Sequence, residues 1–213
     1  MEFKKPEEIE CESMRIISEE LALRNICLSD ENAAVAKRVI HTTADFDYAE
    51  SLFFSMEAVS RGIAALKKGT TLLTDTNMAL AGVSKPGLSR LKSSAVCYMA
   101  DPEVAEQAAS LGVTRAVISV RHAVKKNPGC IYAVGNAPTA LFELAEQIKK
   151  GFRPSLIIAV PVGFVNVVEA KETIIEICTE TDIPVIASLG RKGGSTVAAA
   201  VCNALIYKAA GMR

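Results

Sequence analysis

Ile131-Tyr132-Ala133-Val134-Gly135-Asn136-Ala137-Pro138-Thr139-Ala140 is the stretch on which the fold of this chain turns. Its first four residues form an apolar run without polar alternation, as in a strand covered on both faces of a parallel sheet. Gly135-Asn136 punctuates the run, and Ala137 to Lys150 then has a helical pattern. The same unit recurs downstream, with Leu156–Val160 followed by Val167–Thr181, and Val185–Leu189 followed by Ser195–Ala210. Upstream, Thr70–Thr74 and Ala95–Met99 are two more candidate strands, and Asp101-Pro102-Glu103 opens a helix that Gly112 closes. Strands and helices alternating in this way give right-handed crossovers and a three-layer α/β/α sandwich around a parallel sheet. Before Gly69 the signals are helical: starts at Pro6-Glu7-Glu8, at Ser29-Asp30 running to about His41, and after Ser55. The expectation is one domain over residues 1–213, mainly helical over 1–68 and α/β over 69–213.

Composition narrows the partners. The 213 residues carry 24 Lys+Arg against 24 Asp+Glu, so no electrostatic pull toward nucleic acid or an anionic membrane is expected. The longest apolar stretch, Leu156–Val168, is interrupted by Pro161, Gly163 and Asn166 and falls well short of the roughly 20 residues that span a bilayer. Met1–Glu10 is charged and lacks the apolar centre of a signal peptide. Cys11, Cys27, Cys97, Cys130, Cys178 and Cys202 lie at least 16 residues apart, so no zinc site or disulfide framework is suggested. These features point to a reduced, cytoplasmic protein with no metal of its own.

In open α/β sheets the ligand crevice lies beyond the carboxyl ends of the strands. Four segments belong there. Thr74–Met78 offers Asp75 and Thr76, and Gly135–Ala140 offers Asn136 ahead of a helix start. Pro161–Asn166, with Gly163 at its turn, is apolar for a loop and suits a wall against a flat ligand or a subunit contact. Gly190–Thr196 sets Arg191, Lys192, Gly193 and Gly194 before a helix N-terminus, whose free N–H groups attract anions. Its spacing is not that of a P-loop, and no GxGxxG follows the first strand, which argues against nucleotide chemistry.

Of only two histidines, His41 ends a helix, where the carbonyl dipoles favour an imidazolium, and Asp45 and Asp47 would add to that field. Such a group suits proton transfer near neutral pH, the competing reading being a side chain satisfied by local hydrogen bonds. Arg38 lies three residues earlier, a spacing that places it on the same helix face. His122 sits in the basic run Arg121–Lys126, which has the look of a solvated helix face.

Taken in order, His41-Thr42-Thr43-Ala44-Asp45-Phe46, Gly135-Asn136-Ala137-Pro138-Thr139-Ala140-Leu141, Pro161-Val162-Gly163-Phe164-Val165 and Gly190-Arg191-Lys192-Gly193-Gly194-Ser195 resemble the precorrin-8X methylmutase family of corrin-ring synthesis, over about Ile9 to Lys208. The resemblance implies an isomerase that moves a methyl group from C-11 to C-12 of the macrocycle. The His41–Tyr48 segment is more similar to the branch that converts cobalt-precorrin-8 to cobyrinate than to the one acting on metal-free precorrin-8X to give hydrogenobyrinate. It further implies no cofactor, any cobalt being part of the substrate, with His41 as proton donor and acceptor. Around the polycarboxylate ring it places Ser13, Arg38, Asp75, Thr76, Arg115, Asn136, Gly163, Arg191, Lys192, Gly193 and Gly194. The fold it implies is flavodoxin-like, five parallel strands in the order 2-1-3-4-5. The family works as a homodimer with shared active sites, and Phe53, Phe54 and Pro161–Val165 are candidates for that contact. A tetrapyrrole carrier that binds the ring without turnover is the rival expectation.

Overall fold

A computed structural model describes residues 5–212; the first four positions of the leader reading lie outside the described residues. Helices α1 (Pro6–Leu23), α2 (Asp30–Thr43) and α3 (Tyr48–Ser51) lead into β1 (Leu52–Phe54) and α4 (Ala58–Lys67). There follow β2 (Leu72–Thr74), α5 (Asn77–Gly82), α6 (Lys85–Arg90), β3 (Ala95–Val96), α7 (Pro102–Leu111) and α8 (Arg115–Lys126). The chain closes with β4 (Ile131–Val134), α9 (Pro138–Lys149), β5 (Leu156–Ala159), α10 (Val167–Glu180), β6 (Val185–Ser188) and α11 (Ser195–Ala210).

These strands form one sheet in the order β1-β6-β5-β4-β2-β3. Strands β2 to β6 are parallel and fall within the five apolar runs, β4 spanning the whole of its run and the other four shortened at one end. The expectation of a wholly parallel five-stranded sheet is corrected by a sixth strand, β1, which pairs antiparallel with β6, Leu52 opposite Ser188 and Phe54 opposite Ile186. It arises inside the stretch that reads as helical. Its residues alternate between the two layers: Phe53 packs with one core, Leu52 and Phe54 with the other. Phe53 and Phe54, proposed from sequence as subunit contacts, thus have partners within their own chain.

Alternation along the central strands divides the apolar residues between two cores. Ile131 and Ala133 face α1, α2, α4 and α11, while Tyr132 and Val134 face α8, α9 and α10. Helix α11 is buried along much of its length from Val197 to Ala209, as expected of a helix apolar nearly all round. Helix α2 packs on α11 and ends at Ala44, whose left-handed φ of 54° closes the turn that carries His41.

Arg121 departs from the solvated-face reading. Its Nε and Nη2 donate to the two carboxylate oxygens of Glu143 on α9 at 2.9 and 3.1 Å, and Glu143 is buried. Replacing Arg121 by leucine removes the counter-charge and leaves that carboxylate, among the described residues, only the donor Gln147 Nε2 at 2.7 Å, and urea unfolding is expected to show a loss of about 2 kcal/mol. Adding Glu143→Leu should recover most of that loss.

Candidate functional site

The carboxyl ends of β2, β4, β5 and β6 deliver Asp75, Gly135-Asn136, Pro161–Gly163 and Gly190–Ser195 to one edge of the sheet. Asp75 is only 2% exposed, and its carboxylate is turned onto the backbone of the neighbouring loop. Its Oδ1 accepts from Gly135 N at 2.8 Å, and its Oδ2 from Asn136 N at 2.8 Å and Ala137 N at 2.9 Å. Burial pushes this carboxyl up from its usual range, against three N–H donors that favour the charged form. The expected ligand residue is therefore a brace from β2 to the loop after β4.

Thr76 caps α5, accepting from Ala79 N at 3.0 Å, and its hydroxyl lies 2.8 Å from Ser195 Oγ. Gly135 faces the same point. A Cβ there would stand 2.8 Å from Ser195 Cα and 2.9 Å from Gly194 O, so no larger residue fits without movement of α11. Asn136 itself is exposed.

The Gly190–Ser195 loop is held from behind and from the side. Lys171 on α10 donates its Nζ to Gly190 O and Lys192 O, both at 2.8 Å, and Ser188 Oγ donates to Lys192 O at 2.8 Å. Gly194 N donates to Val160 O at 2.8 Å, and Gly163 N to Arg191 O at 3.2 Å. A Cβ on Gly193 would stand 2.2 Å from Val160 O, so the loop and the end of β5 meet backbone to backbone. Lys171 is buried, and desolvation lowers its ammonium to about 8. Sequence reading missed it. The signal was its place on the apolar stripe of Val167, Ala170, Ile174 and Cys178, where a lysine at helical spacing is out of keeping.

His41 lies in the last turn of α2, exposed, with its Nδ1 2.7 Å from Ser13 Oγ on α1. That bond fixes the ring and leaves Nε2 without a protein partner among the described residues. The cleft beside it, about 370 Å³, has apolar walls including Ile9, Ile16 and Phe46. Asp45 and Asp47, expected to act on His41, instead each accept from Lys192 Nζ at 2.6 Å. The bond from Lys192 holds the Asp45 carboxyl below its usual range, and the two acids hold the Lys192 ammonium above its own. Lys192 is thus committed within the chain, and it ties the His41 turn to the Gly190–Ser195 loop.

Arg38 does not share the His41 cleft. Its Nη2 donates to Glu10 Oε1 at 2.5 Å, its guanidinium lies 5.1 Å from the centroid of Tyr207, and it lines a separate cleft of about 690 Å³ with Cys11, Met14 and Lys37. Three residues on a helix still differ by about 60° around its axis, and here the two side chains meet different parts of α1. Arg191 is exposed and stacks 5.5 Å from the centroid of Phe164, itself 82% exposed, so the loop after β5 is an open apolar wall. Arg115 stands exposed at the start of α8, beside Thr114, whose hydroxyl lies 3.1 Å from that of Thr139 in the first turn of α9. Neither arginine has an ion-pair partner among the described residues. No helix among the described residues is long and apolar enough to cross a membrane.

The family model for precorrin-8X methylmutase matches residues 8–208. The chain is 41% identical over 209 residues to the cobalt-precorrin-8 methylmutase of Salmonella typhimurium, covering 96% of each chain. It is 40% identical over 209 residues to that of Priestia megaterium, covering 96% of this chain and 90% of the relative. A crystal structure of precorrin-8X methyl mutase from Thermus thermophilus superposes with a TM-score of 0.85 at 40% identity, covering 95% of this chain and 98% of the other. These relatives are named as enzymes, and the carrier reading has no counterpart among them.

Proposed function

The chain belongs to the precorrin-8X methylmutase family, isomerases of cobalamin synthesis, and from that premise we propose that it converts cobalt-precorrin-8 to cobyrinate with His41 exchanging the proton. The cobalt-bearing ring is favoured over the metal-free one by the names of the Salmonella and Priestia relatives. In this reading His41 Nε2 gives a proton to the conjugated ring, the methyl group moves from C-11 to C-12 on the resulting cation, and the proton returns as the corrin forms. Ser13 sets the imidazole's orientation through Nδ1. The observation that carries this assignment is the Lys192 clasp on Asp45 and Asp47, because it joins the exposed histidine to the anion-attracting loop at the strand ends. The Arg115 and Arg191 side chains and the free backbone N–H groups of the Gly190–Ser195 loop then face the ring's carboxylates, and Phe164 offers an apolar contact to its face. The protein works, in the same reading, as a cytoplasmic homodimer without a cofactor.

An absorbance assay with purified cobalt-precorrin-8 and with metal-free precorrin-8X tests this. The corrin chromophore should appear from the cobalt-bearing ring faster than from the other. No chromophore from either ring would defeat the substrate assignment, and a preference for the metal-free ring would overturn the choice of cobalt alone.

A further inference from the structure

Lys171 has a placement that packing does not explain. The residue is 1% exposed, and among the described residues its ammonium meets two carbonyl oxygens and no carboxylate. Burying a cation without a counter-charge is costly, and a leucine or methionine would fill the same stripe of α10 without that cost. Nothing acidic shifts its titration either; burial alone lowers it. The position is explained by what the two carbonyls do to the loop.

A trans peptide unit carries its C=O and its N–H in opposite directions, and the described chain has no cis peptide bond. Drawing Gly190 O onto Lys171 therefore turns the N–H of Arg191 away from Lys171, and drawing Lys192 O onto it turns the N–H of Gly193 away. Neither of these N–H groups has an acceptor within the described residues, whereas Gly194 N, from the next peptide, is spent on Val160 O. Immediately afterwards α11 begins with no side-chain cap at Gly194, so its first N–H groups are also unpaired. The ammonium thus sits behind a loop that presents donors on its opposite side, and its charge adds to their attraction for an anion.

We propose that Lys171 is the positioning residue of the Gly190–Ser195 loop, fixing the two peptide units whose N–H groups grip a carboxylate of the substrate. This deepens the reading of that loop given above and rests on it. Lys171 touches no substrate; it acts through the peptides after Gly190 and Lys192.

The test compares the parent enzyme with Lys171→Met in steady-state turnover of cobalt-precorrin-8 and in absorbance titrations with cobyrinate and with its fully methyl-esterified form. In the folded variant KM and the Kd for cobyrinate should each rise about tenfold, the scale of one lost charge-assisted grip, with kcat within about threefold. The ester, having no carboxylates, should bind parent and variant equally. A purely structural lysine would instead reduce the folded fraction and apparent kcat and leave KM and Kd where they were. That result, or a folded variant with parental KM and Kd, overturns the proposal. If Lys171→Met fails to fold, Lys171→Gln is read by the same criteria. The parent supplies an independent measurement: cobyrinate should slow amide hydrogen exchange at Arg191 and Gly193, and no slowing at either overturns the assignment. A parent that binds cobyrinate yet shows no turnover defeats the substrate reading and leaves the loop assignment intact. A parent that binds the ester as tightly as the acid defeats the carboxylate reading itself.

Discussion

Replacing His41 by alanine is expected to lower turnover of cobalt-precorrin-8 by about 10²–10⁴-fold, the span that a well-placed proton donor contributes. Binding of the corrin product should survive the change. The ring nitrogen proposed to reach substrate is Nε2, since Nδ1 is occupied by Ser13 at 2.7 Å. The apolar walls beside the histidine, Ile9, Ile16 and Phe46, remain in the variant. So do Arg115, Arg191 and the Gly190–Ser195 loop, which are assigned the carboxylates. Single-turnover absorbance measures the chemical step, and titration with cobyrinate measures binding. Ser13→Ala should lose less, because it frees the imidazole to turn without removing it. A His41→Ala enzyme with the parental single-turnover rate would show that the proton comes from elsewhere.

Why His41 was legible while its surroundings were not follows from the range of the interactions. A helix that starts at Ser29-Asp30 and stops near an exposed histidine is a local pattern, and α2 forms over Asp30–Thr43 with Ser29 as its cap. The runs at 131–134, 156–159 and 185–188 are local as well, because a strand buried on both faces is apolar along nearly all its length, Ser188 at the end of β6 being the polar member. Strand β1 has no such mark. Leu52-Phe53-Phe54 is three residues long between helical segments, and only pairing with β6, more than 130 residues away, makes it a strand. The partners of charged side chains were equally hidden. Arg38 and Lys192 read as free cations in the sequence, but the fold supplies Glu10 to one and Asp45 with Asp47 to the other. Lys171 left a trace, one lysine on an apolar stripe, and it went unread because a single charged residue on a helix is commonplace.

Asp75 separates the two kinds of role most sharply, and Asp75→Ala is expected to destabilise the protein by about 3–5 kcal/mol. The carboxylate accepts three backbone N–H groups from consecutive residues, and the alanine variant leaves all three without that acceptor at a site only 2% exposed. Asp75→Asn should not rescue it. An amide keeps one acceptor oxygen, and its NH₂ would then confront either Gly135 N or the Asn136 and Ala137 pair, donor against donor. The loop after β4 packs through Gly135 on the start of α11, so its loosening should spread to the Gly190–Ser195 loop and weaken cobyrinate binding only together with stability. Urea unfolding alongside titration of the folded fraction checks this coupling. If Asp75→Asn kept the parental stability and bound cobyrinate tenfold more weakly, the direct substrate contact expected from the sequence would be the better account of this residue.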